Sequence, residues 1–141
     1  MKVGALLIKV FVFDTEDEER VRSSLSSLLQ GLEFISSESE LKGHYGNRIK
    51  VVEYRVSGQN ASSLLERLLS SLSKEDKLLL ITTLRDRLIG SKLHLRLDKQ
   101  RLVALGKLSL KDGDDVIKVI VSFIPYKNEN IVDYVKKVAF N

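Results

Sequence analysis

The sequence predicts an α+β fold: a mostly antiparallel or mixed sheet with helices packed on one face, in the order β-α-β-β-α-β-β-α. Three observations carry this. Residues 3–13 and 116–124 are apolar runs rich in β-branched and aromatic residues, the composition of strands. Leucines at three- and four-residue spacing after Val21 and again from Leu64 mark the buried stripes of helices. The string Gly43-His44-Tyr45-Gly46-Asn47 is a turn between two strand candidates, which implies a hairpin.

Taken in order, the first strand spans 3–13, with Val3, Ile8, Val10, Phe11, Val12 and Phe13 as its β-prone residues. Thr15-Glu16-Asp17-Glu18 then has the form of a capping box, and its acids suit the positive end of a helix dipole. A helix from about Glu16 to Gln30 buries Val21, Leu25, Leu28 and Leu29. Phe34 to Glu40 and Ile49 to Val56 are the paired strands around the turn. A helical region starts near Asn60, restarts at the cap-like Ser73 with Asp76, and is predicted to end at Gly90. Leu93-His94-Leu95-Arg96-Leu97 alternates strictly, as a half-buried strand does. Asp98 caps a short helical turn closed by Gly106, Lys107 to Leu110 forms a short strand, and 116–124 is a strand stopped by Pro125. Asn128 caps a last helix that buries Ile131, Val132, Val135 and Val138. No linker or repeat divides residues 1–141, so one domain is expected.

The chain of 141 residues is long enough to bury a core without disulfides or metal, and it contains no cysteine. Thiol nucleophiles and thiolate metal sites are therefore excluded. Two histidines far apart, His44 and His94, do not suggest a metal site, and no phosphate-binding loop, dinucleotide fingerprint or GxSxG motif occurs. No catalytic residue, cofactor or metal is expected. The apolar run 3–8 is interrupted by Lys9 and followed by acids, so it reads as a strand rather than a signal peptide. No run reaches the ~20 apolar residues of a membrane span, and a cytoplasmic protein is expected.

The net charge of +4 permits a polyanionic partner. Two segments concentrate it. Lys92, His94 and Arg96 alternate with leucines and so share one strand face, with Lys99, Gln100 and Arg101 directly after. These side chains suit phosphate contacts, and equally an ordinary solvated strand face. In 42–50, the glycines admit close backbone approach, His44 or Tyr45 offers a stacking ring, Asn47 a base-edge hydrogen bond, and Arg48 and Lys50 charge. The plainer reading is a polar β-turn.

The strings GHYGNRIKVVEYRV and LHLRLDKQRLVALGKLSL, with TEDEERV after the first strand, resemble an archaeal family of predicted RNA-binding proteins. That family carries a GHHGNPI-like turn and an LRLDKQ-like strand-to-helix segment. Some members are described as predicted exosome subunits, with a fold related to the double-stranded-RNA-binding domain and to large-subunit ribosomal protein five. The resemblance implies roles for Gly43, His44, Gly46 and Asn47, and for Arg96, Asp98, Lys99 and Gln100. Tyr45 stands where a second histidine is common and Arg48 where proline is common. The expected function is RNA binding through phosphate contacts, accessory to RNA processing or to ribosome-related complexes. The alternative is a dimeric protein-interaction module, and a third option is an enzyme using His44 or His94 as acid or base.

Overall fold

The computed structural model describes all 141 residues. The elements run β1 (Lys2–Phe13), α1 (Glu18–Leu28), β2 (Ile35–Lys42), β3 (Arg48–Ser57), α2 (Gly58–Ser71), α3 (Lys74–Thr82), α4 (Leu84–Arg87), β4 (Leu88–Ile89), β5 (Lys92–Leu97), α5 (Lys99–Leu105), β6 (Ile117–Ile124) and α6 (Ile131–Ala139). The strands form one six-stranded sheet in the order β2-β3-β1-β6-β5-β4, and every pairing is antiparallel. The predicted α+β class holds.

The twelve-residue β1 is central, paired along one edge with β3 and along the other with β6. Leu6, Ile8, Val10 and Val12 are buried on one face, beside Val52, Tyr54 and Val56 of β3 and Val119, Val121 and Phe123 of β6. Leu93, Leu95 and Leu97 of β5 extend this layer. Helix α2 covers it with Ala61, Leu64, Leu65, Leu68 and Leu69, all buried. Each such leucine or valine contributes roughly 1.5–3 kcal/mol relative to an exposed side chain. The residues of opposite parity on β1 (Leu7, Lys9, Phe11 and Phe13) are only half-buried. That face of the sheet is uncovered over its central strands.

Several local expectations are corrected. The cap of α1 is Asp17, whose carboxylate accepts from the Arg20 amide at 3.3 Å, rather than a Thr15–Glu18 box. Glu16 instead turns back to the Phe13 amide at 3.0 Å, because tertiary contacts claim its carboxylate. The expected restart at Ser73 stands: α2 stops at Leu72, which is extended, and Ser73 caps α3 by accepting from the Asp76 amide at 3.1 Å. Asp76 does not close a capping box; its carboxylate accepts from the Leu110 amide at 3.0 Å. Gly90 ends no helix. It turns between β4 and β5 with φ +61°, since Leu88 and Ile89 pair with Leu93 and Lys92. The strand expected at 107–110 reduces to a single bridge, Leu97 to Leu110. Asn130, not Asn128, caps α6, accepting from the Val132 amide at 2.8 Å. The Asp98 cap and the left-handed Gly106 at the end of α5, φ +67°, stand as expected.

Candidate nucleic-acid interface

The uncovered sheet face gathers the groups that matter. The β5 alternation places Leu93, Leu95 and Leu97 inward and Lys92, His94 and Arg96 on the uncovered side. Strand register then brings in two lysines that sequence reasoning passed over. Arg96 pairs with Lys118 of β6, and Lys118 pairs with Lys9 of β1. Three cations therefore stand in one row across β5, β6 and β1, with Glu53 of β3 opposite Lys9 at the end. Cross-strand neighbours have Cβ atoms about 5 Å apart, and like charges in that position are destabilising. None of the three forms an ion pair; Arg96 donates only to the Gly113 carbonyl at 3.2 Å.

Aromatic side chains lie next to this row. The Lys9 and Lys118 ammonium groups sit 5.6 and 5.5 Å from the centroid of the Phe11 ring. Phe13 follows on the same face, and the two rings help line a groove of about 290 Å³ with Leu41, Ile49, Asp114 and Asp115. On the other side of the row, a cleft of about 540 Å³ adjoins β5. Arg87, His94, Arg96 and Lys111 line it, together with Asp86 and Asp112. The signal for Lys9, Phe11 and Phe13 was present in the sequence: all three have the same parity on β1. It was obscured because an apolar strand with residues on both faces looks fully buried.

Three of the predicted contact residues have other duties. Lys99 is 1% exposed. Its ammonium donates to Glu16 at 2.7 Å, to the Phe11 carbonyl at 2.9 Å and to Asp115, and it lies 4.9 Å from the Phe13 ring centroid. It ties α5 to β1 and does not face solvent, which corrects its placement as a surface phosphate contact. Gln100 is exposed but directs its amide to Glu16 at 3.2 Å. Burial alone would raise the Glu16 carboxyl; the hydrogen bonds from Lys99, the Phe13 amide and Gln100 outweigh it and hold the group below its usual range. Lys50 is also corrected. It lies on the helix side of β3, bonded to Glu18 at 2.8 Å and near Glu38, within a network that includes Arg22. The hydrogen bond from Lys50 lowers the Glu18 carboxyl, and the same bond raises the Lys50 ammonium. Its charge is already compensated.

The remaining predicted residues are exposed. Arg101 lies on the first turn of α5. His44, Tyr45, Asn47 and Arg48 occupy the β2–β3 hairpin, where Tyr45 is 93% exposed and the two rings meet edge to face at 5.0 Å. Gly46 takes φ +80°, and the Gly43 amide donates to the Asn47 carbonyl at 2.7 Å. A Cβ on Gly43 would overlap the Asn47 amide, so that side chain closes the turn. The hairpin and the 92–101 segment lie at the same end of the sheet but not side by side: β3, β1 and β6 intervene between β2 and β5. Asp14, Glu16 and Asp115 occupy the space between them, so the two segments do not form one basic patch. His44 and His94 are likewise too far apart in the strand order to share a site.

The structure is thus an α+β domain whose antiparallel sheet leaves one face open, crossed by cations without ion pairs beside half-buried aromatic rings. The sequence model of the family described as "RNA binding" matches residues 5–123, and the chain belongs to that family. It is similar to a Pyrococcus abyssi protein named as RNA-binding, with 32% identity over 92% of this chain and 89% of that one. An uncharacterized Methanocaldococcus jannaschii protein is 27% identical over 99% and 97% of the two chains. A crystal structure of a Sulfolobus solfataricus protein, 35% identical, superposes with a TM-score of 0.85 over 96% of this chain and 97% of that one.

Proposed function

We propose that this domain binds RNA through phosphate contacts made by the uncovered face of the sheet, without catalysis of its own. The observation that carries the reading is the row Arg96–Lys118–Lys9. Three like charges in register cost stability, and none of them forms an ion pair; the one cross-strand acid, Glu53, stands opposite Lys9 at the end of the row and leaves Lys118 and Arg96 facing like charge. A polyanion relieves them. Lys92 adds a cation on the same face of β5, and Arg87 and Lys111 line the adjoining cleft with His94, Asp86 and Asp112. Family membership and the name of the Pyrococcus relative support RNA as that polyanion. We extend the proposal to a cytoplasmic duty accessory to RNA processing, of the exosome-associated or ribosome-related kind that the sequence resemblance implies.

The test is a salt titration of RNA affinity. Three phosphates neutralised by the row give a log–log slope of about 2–3. Replacing Lys9 and Arg96 together by alanine is expected to reduce that slope by about 1.5 in a protein that still folds. Absence of salt-dependent binding to any RNA at low ionic strength refutes the proposal.

A second reading has an observation of its own. All eight residues of β2 are exposed, and its outer edge has no strand partner. Such an edge suits antiparallel pairing with a second copy across a two-fold axis. Sedimentation that finds only monomer at micromolar concentration removes this reading.

A further inference from the structure

Resting on the RNA-binding proposal, we infer that the occupant of the uncovered face is unpaired RNA, with bases stacked on Phe11 and Phe13 and the phosphates following the Lys9–Lys118–Arg96 row. A duplex presents its phosphates and sugars outward and keeps its bases stacked on one another. It has no use for a pair of aromatic rings. This face supplies rings and charges together.

The placement of the two phenylalanines is the first argument. They are two residues apart on the central strand, so their side chains leave the same face about 6–7 Å apart along the strand. Both are half-buried, which fixes each ring at its base and leaves the outer part accessible. Phe13 is held from behind by the buried Lys99 ammonium, and Phe11 is flanked by Lys9 and Lys118. Rings positioned this way lose little freedom when a base settles on them. Leu41 and Ile49 form the far wall of the groove, so a base entering it meets apolar surface on two sides. At about 290 Å³ the groove lies near the ~300 Å³ lower bound of small-molecule clefts.

Charge placement is the second argument, and it also sets a direction. Asp114 and Asp115 stand at the Phe13 end of the groove, and Asp115 is engaged by Lys99. The cation row crosses the sheet on the other side of Phe11. Phosphates are attracted to the row and repelled from the aspartates, so the backbone lies over Lys9 and Lys118 with its bases turned toward Phe13. A second copy of the chain is the weaker occupant, because a two-fold axis through this face sets one cation row against another.

The experiment compares a single-stranded oligoribonucleotide carrying 2-aminopurine with a duplex of the same length. The single strand is expected to bind more tightly, and its fluorescence to be quenched by stacking. Phe11→Leu and Phe13→Leu, which keep the apolar bulk, are each expected to weaken single-strand binding about tenfold without changing the salt slope. Phe11→Tyr keeps a stacking ring and is expected to retain affinity, which separates stacking from damage to the fold. Duplex bound at least as tightly, with the leucine variants indistinguishable from the parent, overturns this inference and leaves the phosphate-contact proposal standing. Leucine variants that change a dimerisation constant but not RNA affinity overturn it in favour of a second copy. Loss of all salt-dependent RNA binding in the parent overturns both.

Discussion

Lys118→Glu is expected to make the fold more stable and the RNA weaker bound, two effects of opposite sign from one side chain. Lys118 is the middle member of the cation row, with Arg96 on one side and Lys9 on the other. Each cross-strand charge pair is worth roughly 0.2–1 kcal/mol, repulsive as it stands and attractive after substitution. Two pairs changing sign give about 1.5 kcal/mol of stabilisation. The variant also loses the contact of the lysine ammonium with the Phe11 ring, about 0.5 kcal/mol at an exposed site. The net gain is therefore about 1 kcal/mol, or roughly 3 °C in Tm for a domain of this length. Thermal melts followed by circular dichroism measure it, and repeating them in 1 M salt checks the cause: with the Debye length near 3 Å, the gain should largely disappear. RNA titrations on the same sample should show a log–log salt slope lower by about 0.7–0.9. A variant that melts below the parent at low salt refutes the account of the row as a frustrated surface. A variant that keeps the full slope refutes its role in binding.

Other consequences are equally specific. Lys99→Met removes the buried ammonium from Glu16 and Asp115, and should cost about 3 kcal/mol in denaturant unfolding, as breaking a buried pair does. The Glu16 carboxyl is held below its ordinary 4.5 in the folded state, so the stability it contributes is present above that value and lost as pH falls through the depressed one. Melting temperature should accordingly drop on acidification, and Glu16→Gln should flatten that limb of the profile. Asp98→Ala removes the cap of α5 and should lower stability by about 1 kcal/mol, read by urea denaturation.

Much of the fold was legible because local patterns and tertiary needs agree. The Leu93–Leu95–Leu97 alternation and the α2 leucines at 64, 65, 68 and 69 point inward as their spacing requires. The errors fall where a distant residue intervenes. Thr15 and Glu18 have the spacing of a capping box, yet Lys99, more than eighty residues on, draws Glu16 out of the helix and leaves the cap to Asp17. Gly90 looks like a helix end because the two residues of β4 are too few to show a period. The site was half legible. Lys92, His94 and Arg96 share a face by simple alternation, whereas the Arg96–Lys118–Lys9 row exists only through the register of three strands. Lys99 was misplaced for a related reason: in sequence it continues a run of basic residues, while in the structure the first turn of α5 points it under the sheet's end toward Glu16.

The strand order also bears on how the chain is made. β1 is made well before the partner on its second edge: β6 begins at Ile117, about sixty residues after β3 ends. At ~5–20 residues per second, that edge waits several seconds with only β3 beside it. A bare, apolar strand edge in a nascent chain invites pairing with the wrong molecule. Lys9 ends the stretch that β6 later pairs, opposite Lys118, and puts a charge on an otherwise largely apolar strand, as gatekeeper residues do. A Lys9→Val protein should therefore be recovered in lower soluble yield even though its strand propensity is higher.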